Sequence, residues 1–472
     1  MFLLTELEDE KVRYKGVPMG TDVDFVVAGA GGGLAGAIRA AELRARVLVI
    51  ETNSHFRSGN NTSMSTAMIP GAGTRWQREL GLEDTPKTFV DDMLRKTHGT
   101  VDLPLAEALA GVSASLVTWL ADSVGLPIEL TTDFAYPGHS VLRCHTIPHR
   151  TGSALLKGLL DRASQLPNLD IMVPARVVDI AGSPAARIVV IEHPDGSLEE
   201  ISTSAILLAT NGFGGNAELV KLHIPEMADA HYHGSAESRG DALTIGSRLG
   251  ADSGFLNAYQ GHAALSYPQA TLVGWATVLH GGILVNLDGE RFGDETTGYS
   301  EFGHMELLQP EHAGVLVFDR QIHDACLLFD DFRQTVDAGA LRWATSPSAL
   351  AEQFGLPKQT FINTLDQVHM YATANSACPF GRTSWPHDLD RSDLVGVRVT
   401  AAIFHTQGGL RVDQHARVQR PDGVVIDGVY ASGGSAIGIS GFGASGYLAG
   451  NGLLPALGLA YLAGEDIVTR LG

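Results

Sequence analysis

A chain of 472 residues with 44% hydrophobic and 18% charged positions is globular and long enough for two or three domains of ~150 residues. Its formal net charge of −20 argues against a polyanionic partner, which excludes nucleic acid as the target and leaves solubility as the simpler meaning. Three cysteines, Cys144, Cys326 and Cys378, stand in no zinc, haem or redox spacing, which fits a reducing compartment and gives no metal site.

The first residues, MFLLTELEDEKVRYKG, hold too short an apolar run and the wrong charge order for a signal peptide. No apolar run approaches the ~18 residues of a membrane span. A cytoplasmic protein without a membrane span or a haem domain of its own is expected.

Phe25 to Glu51, FVVAGAGGGLAGAIRAAELRARVLVIE, reads as an apolar strand, a glycine turn, a helix and a second strand ending on an acid. This is a dinucleotide cradle. Glycines let backbone N–H groups approach a pyrophosphate, the helix N-terminus adds positive partial charge, and the acid can hold a ribose hydroxyl pair. The register of the turn is open: a literal G-x-G-x-x-G fits Gly31, Gly33 and Gly36, whereas the strand points to Gly29 and Gly31, with Gly33 one residue short. Glu51 lies about 20 residues on, the expected spacing.

Next comes SHFRSGNNTSMSTAMIPGAGT, in which Ser58 to Asn61 either line a cofactor or form a solvated loop. Thr85 to Leu126 turns helical, with Trp119 on the core stripe. The loop that follows carries His139, Arg143, His145, His149 and Arg150, which offer substrate contacts but no metal-ligand spacing. Thr151 is placed as an N-cap. Residues 169 to 209 read as strands, with Pro194-Asp195-Gly196 as a hairpin turn. They lead into a second glycine turn, Asn211 to Asn216. From about 261 to 404 short helical and strand patterns alternate, including a second expected hairpin at Asp288-Gly289. Beyond it come a Pro421-Asp422-Gly423 hairpin and an apolar helix that begins near Asn451 and Gly452, whose N-terminus suits a group gaining negative charge.

Several of these pieces coincide. The chain resembles the flavoprotein family of fumarate reductases, succinate dehydrogenases and 3-ketosteroid dehydrogenases from about residue 22 to the end. The matching segments are the glycine turn with Glu51, Ser58 to Ser63, ATNGFGGN, GGILVNLDGERF, HTQGGL, Val429 to Gly433 and GYLAGNGLL. The resemblance implies an α/β fold with a Rossmann-like FAD-binding domain, 1–260 and 405–472, split in sequence by an α+β cap domain, 261–404. It implies FAD contacts at Gly29, Gly31, Gly33, Glu51, Ser58, Asn60, Val177, Gly433, Asn451 and Leu453. Gly434 replaces a glutamate common in fumarate reductases, and no histidine motif for covalent attachment is present, so the FAD is expected to be non-covalent.

The departures concern the substrate. Where fumarate reductases carry an arginine proton donor four residues past a glutamate, this chain has Tyr299 after Glu295. Where they hold a carboxylate with an arginine before the last helix, it has Tyr447. A tyrosine cannot replace a guanidinium fork for a dicarboxylate. The 3-ketosteroid dehydrogenase branch also places tyrosines here, although Tyr447-Leu448-Ala449 departs from the Tyr-x-Ser of its Δ4 members. The resemblance thus implies hydrogen transfer across a carbon–carbon bond beside a carbonyl, with hydride to or from flavin N5, Tyr299 as acid or base, and Tyr447, His405 and His262 at the substrate. Two alternatives stand beside it: a fumarate-reductase-like reductase of a small unsaturated acid with its clamp moved to Arg143 or Arg239, and a redox-silent FAD-binding protein. The expected partners are a small carbonyl compound and a separate electron donor or acceptor.

Overall fold

The computed structural model describes residues 22–133, 136, 138–183 and 186–472, so the N-terminal segment read for a signal peptide lies outside the described residues. Strand β1 (Val23–Ala28), helix α1 (Gly33–Glu42) and strand β2 (Val47–Ile50) follow one another as the sequence predicts. Phe25, Val26 and Val27 are wholly buried, because β1 has parallel neighbours on both sides within an eight-stranded sheet. A strand covered on both faces calls for a continuous apolar run, and these strands have one.

The parallel path runs Val425–Ala431, Leu198–Leu208, β1, β2 and Leu169–Met172. Antiparallel strands extend it. Arg417–Gln419 returns on Val425–Ala431 through the Pro421-Asp422-Gly423 turn. Arg176–Ser183 and Ala186–Glu192 add to the first half of Leu198–Leu208, across a turn in which Gly196 takes φ +80° and Asp195 Oδ1 accepts from Ser197 N at 2.9 Å.

α1 crosses the C-terminal helix Leu453–Leu471 at backbone contact. A Cβ on Gly36 would lie 2.5 Å from Ala460 O, one on Gly464 2.6 Å from Gly36 O, and one on Gly32 2.7 Å from Ala456 Cβ. The glycine run therefore divides by job. Gly29 and Gly31 form the turn, Gly33 opens α1 against Val27 and Ala209, and Gly32 and Gly36 serve the crossing.

The 20-residue helix Leu103–Asp122 is long and apolar enough by composition to cross a membrane, at mean hydropathy 1.4, contrary to the expectation that no apolar run approaches that length. Half of that stretch is buried inside the protein, where Leu105, Leu109, Leu116 and Leu120 join the first core. Trp119 sits in the same core and donates from Nε1 to Glu42 Oε2 at 2.9 Å. Thr151 occupies the N-cap of Gly152–Ala163 as expected, but its side chain makes no capping bond.

A second, six-stranded sheet is built on Leu394–Thr406, which pairs antiparallel with Tyr259–Ser266, Ala313–Asp319 and Arg342–Ala344 and parallel with His231–Tyr232. It has its own core, with Val315, Val317, Val395 and Val397 fully buried, and draws strands from both sides of residue 260. Asp288-Gly289 is a turn, with Gly289 at φ +79°, but not the expected hairpin. Ile283–Asn286 pairs with Ala313–Asp319 instead, and the segment after Gly289 carries a buried Glu295 paired with both Arg291 at 2.5 Å and the distant Arg382 at 3.2 Å.

Gly36→Val tests the helix crossing. The added methyls have no room against Ala460 O, so stability should fall by about 1–3 kcal/mol, seen as a lower Tm; an unchanged Tm contradicts the contact.

Candidate active site

One large cavity takes its walls from both sheets and holds about 2080 Å³ of empty space, part of it open to solvent. Gly29, Gly31, Gly33, Glu51, Asn60, Val177, Gly433 and Leu453 line it. Gly29 takes φ +115°, and a side chain there would strike Ala209 O at 2.3 Å. Among the described residues the N–H groups of Gly31, Gly32 and Gly33 have no acceptor, and all three residues line the cavity at the start of α1. Such a cluster of free donors binds an anion. Glu51 accepts from Ala30 N and Asn53 N, each at 2.8 Å, and burial holds its carboxyl above the usual range in spite of those bonds.

Two polar atoms on the walls, Asn60 Nδ2 and Ser432 Oγ, are buried with no partner in the protein. Each such orphan costs about 1–3 kcal/mol, and a ligand rich in oxygen and nitrogen would satisfy both. These residues fit a dinucleotide. Gly434 admits no side chain, since a Cβ would lie 2.5 Å from Gly212 N and 2.8 Å from Asn211 Oδ1. Two expected contacts lie off the walls. Ser58 is exposed on the short helix Phe56–Gly59. Asn451 is buried behind the cavity, where its Nδ2 donates to Ser440 Oγ at 3.0 Å.

That bond starts a chain that reaches His405. Ser440 Oγ donates to Gln407 Oε1 at 2.7 Å, which leaves Gln407 Nε2 to donate to His405 Nδ1 at 3.2 Å, closer than the 3.4 Å approach of Thr406 O. The ring hydrogen then sits on Nε2, which faces Gly452: a Cβ on Gly452 would lie only 2.8 Å from it. Burial lowers His405 to about 4, so the ring is neutral.

Tyr299 is the first residue of the helix Tyr299–Leu307, and Tyr447 lies in the loop before the C-terminal helix; their rings meet edge to face with centroids 5.8 Å apart. Tyr447 also meets His405 at 6.1 Å. His262 stacks on Tyr299 at 4.9 Å and on Phe404 at 5.3 Å. Its Nδ1 accepts from Ala264 N at 3.0 Å, and burial lowers it to about 3, so this ring too is neutral. Burial, with the Tyr447 and Tyr136 phenols nearby, holds Tyr299 well above the usual phenol range. Burial raises Tyr447 as well, against opposing hydrogen bonds from the Tyr299 hydroxyl and the Gly452 N–H.

The walls carry few charges. The one arginine among the described wall residues is Arg176, held by Asp241 at 2.5 Å, and no lysine is present. His139, Arg143 and His145 stay off the walls. Arg143 is fully buried, bonded to Asp84 at 3.0 Å and to Asp92, and those carboxylates raise its already high pKa. Arg239 pairs with Glu237 at 2.8 Å, also off the walls. Sequence reasoning passed over Tyr136, Trp275, Asp331 and Phe404, which all line the cavity. Phe404 alone had a signal, as the strand neighbour of His405.

A glycine turn and an acid on adjacent parallel strands, two helix N-termini at one cavity and a second sheet across it define an α/β dinucleotide-binding protein. The chain matches the FAD binding domain family over residues 24–453. It is 27% identical over 407 residues to the NADH:fumarate oxidoreductase of Klebsiella pneumoniae (strain 342), covering 84% of this chain and 43% of that one. It superposes with TM-score 0.79 on the open conformation of a flavocytochrome c3 fumarate reductase, at 24% identity over 95% of this chain and 78% of the other. It superposes with TM-score 0.76 on the 3-ketosteroid Δ1-dehydrogenase of Sterolibacterium denitrificans, at 17% identity over 95% and 99%. These two likenesses establish the fold. The chain belongs to the FAD binding domain family and is a flavoprotein.

Glu51→Ala should weaken FAD binding about 10- to 100-fold in a fluorescence titration of apoprotein. Unchanged affinity would remove Glu51 from the cofactor site.

Proposed function

We propose that the protein adds or removes hydrogen across a carbon–carbon bond beside a carbonyl, on a substrate that is neutral or singly charged and larger than fumarate. One observation carries this reading: among the described wall residues the only arginine is already paired, and both histidines at the tyrosines are neutral. A dicarboxylate entering such a cavity would lose its water with no cation to replace it. A neutral ketone would not. The ligand of the Sterolibacterium enzyme, 1,4-androstadiene-3,17-dione, is of that kind.

FAD, when bound, supplies the two-electron donor or acceptor. The chain's own residues handle the oxygen and the proton. The Tyr447 hydroxyl, whose oxygen takes the Gly452 N–H at the helix terminus, and the His405 Nε2–H beside Gly452 are the donors for a carbonyl oxygen that gains enolate charge. Tyr299 exchanges the proton of the adjacent carbon through its phenol oxygen. His262 and Phe404 stack behind Tyr299 and fix its ring.

The raised Tyr299 pKa gives the two directions opposite pH behaviour. The phenol is the resting form, so reduction begins with its proton in place and dehydrogenation begins with that proton leaving. Dehydrogenation should therefore rise with pH from 7 to 10 in steady-state assays while reduction stays flat; the reverse pattern contradicts the role. Tyr299→Phe should keep the yellow flavin bound and cut turnover by ~100-fold or more, and near-normal turnover would sink the assignment.

Reduction of a small unsaturated acid is the nearest rival, favoured by the Klebsiella relative's fumarate activity. It lacks its expected clamp, because Arg143 and Arg239 are each already paired. We take the electron partner to be a separate molecule, and the free cysteines suit the proposed cytoplasmic setting.

A further inference from the structure

Asp331 is the second residue of the helix Asp330–Asp337 and lines the cavity beside Leu272, Val273, Cys326, Phe329 and Phe332. Those neighbours are apolar. The hydrogen bond made at this residue goes to its backbone, where Thr335 Oγ1 donates to Asp331 O at 3.2 Å; among the described residues its carboxylate has no partner. The nearest arginine on its helix is taken: Arg333 pairs with Asp330 and donates to Leu327 O at 2.6 Å. Burial pushes the Asp331 carboxyl up to about 6, and no neighbouring charge holds it down.

A carboxylate half-withdrawn from water in an apolar wall, with nothing to accept from, works against stability. Its place on the substrate cavity supplies a reason for it. We infer that Asp331 selects substrates that carry a hydroxyl group at the end lying against the helix Asp330–Asp337. This rests on the carbonyl-compound reading above. A hydroxyl brings a single donor, which one carboxylate satisfies with a charge-assisted bond. An ammonium brings three donors, and the surrounding Leu, Val, Phe and Cys side chains would leave two of them unsatisfied. Asp331 is thus a specificity-determining residue that takes no part in the proton or hydride transfer.

The test uses the FAD-loaded protein and two ring ketones that differ only at the far end, 17β-hydroxy-4-androsten-3-one and 4-androstene-3,17-dione. Each is titrated while the flavin absorbance change reports Kd. The hydroxy ketone should bind at least about 10-fold tighter than the dione. In Asp331→Leu that ratio should fall to near one, with the flavin spectrum intact and Tm no lower than in the parent, because no internal bond is lost. Equal affinities in the parent, a ratio unchanged in Asp331→Leu, or no binding of either ketone overturns the inference. Discriminating binding without flavin reoxidation by either ketone would support Asp331's role and count against the reaction proposed above.

Discussion

The structure depends first on one contact, the crossing of α1 with the C-terminal helix at glycines. Gly32 and Gly36 on one helix and Gly464 on the other bring backbone against backbone, with Gly36 and Ala460 too close for any side chain between them. Helices joined by side chains sit 8–10 Å apart; removing the Cβ atoms lets these approach further. As a result both N-termini open on the same cavity, one at Gly31 to Gly33 and the other at Gly452 and Leu453. The first presents donors suited to a pyrophosphate. The second sets the Gly452 N–H beside Tyr447 and His405, so the packing that seats the cofactor also positions the proposed carbonyl site.

Burial then decides the charge state of that site. Both histidines are neutral and both tyrosines keep their protons, because desolvation disfavours the charged form of each. The strong charges of this part of the chain are spent on structure instead. Arg143 ties Asp84 to Asp92, and Arg291 and Arg382 share Glu295 beneath the second sheet. What remains at the tyrosines is a set of neutral donors in an aromatic box, which suits an oxygen that becomes anionic only during reaction.

The nucleotide fold was legible because its strands are buried on both faces and its turns carry specific chemistry. Phe25 to Val27 and the Asp-Gly turns at 195–196 and 422–423 each impose local conformation strongly enough to read from a few residues. At Asp288-Gly289 the same signal gave a turn but no hairpin, since Ile283–Asn286 pairs with the distant Ala313–Asp319 instead. The jobs of Gly32 and Gly36 were hidden for the same reason: their partners lie more than 400 residues on. Tyr299, Tyr447, His262 and His405 were singled out by resemblance, and the fold brings them into one aromatic cluster. Tyr136, Trp275 and Asp331 belong to no motif and become visible only once the chain is folded around them. Ser58 and Asn451 carried motif weight, yet one faces solvent and the other holds Gln407 and His405 from behind.

The proposed site accepts a carbonyl compound without a carboxylate clamp. Rapid mixing of the reduced, FAD-loaded protein with fumarate, urocanate and 4-androstene-3,17-dione, followed by flavin absorbance, tests it most directly. Fast reoxidation by the ketone and none by either acid is expected. Fast reoxidation by fumarate or urocanate, with the ketone inert, would contradict it.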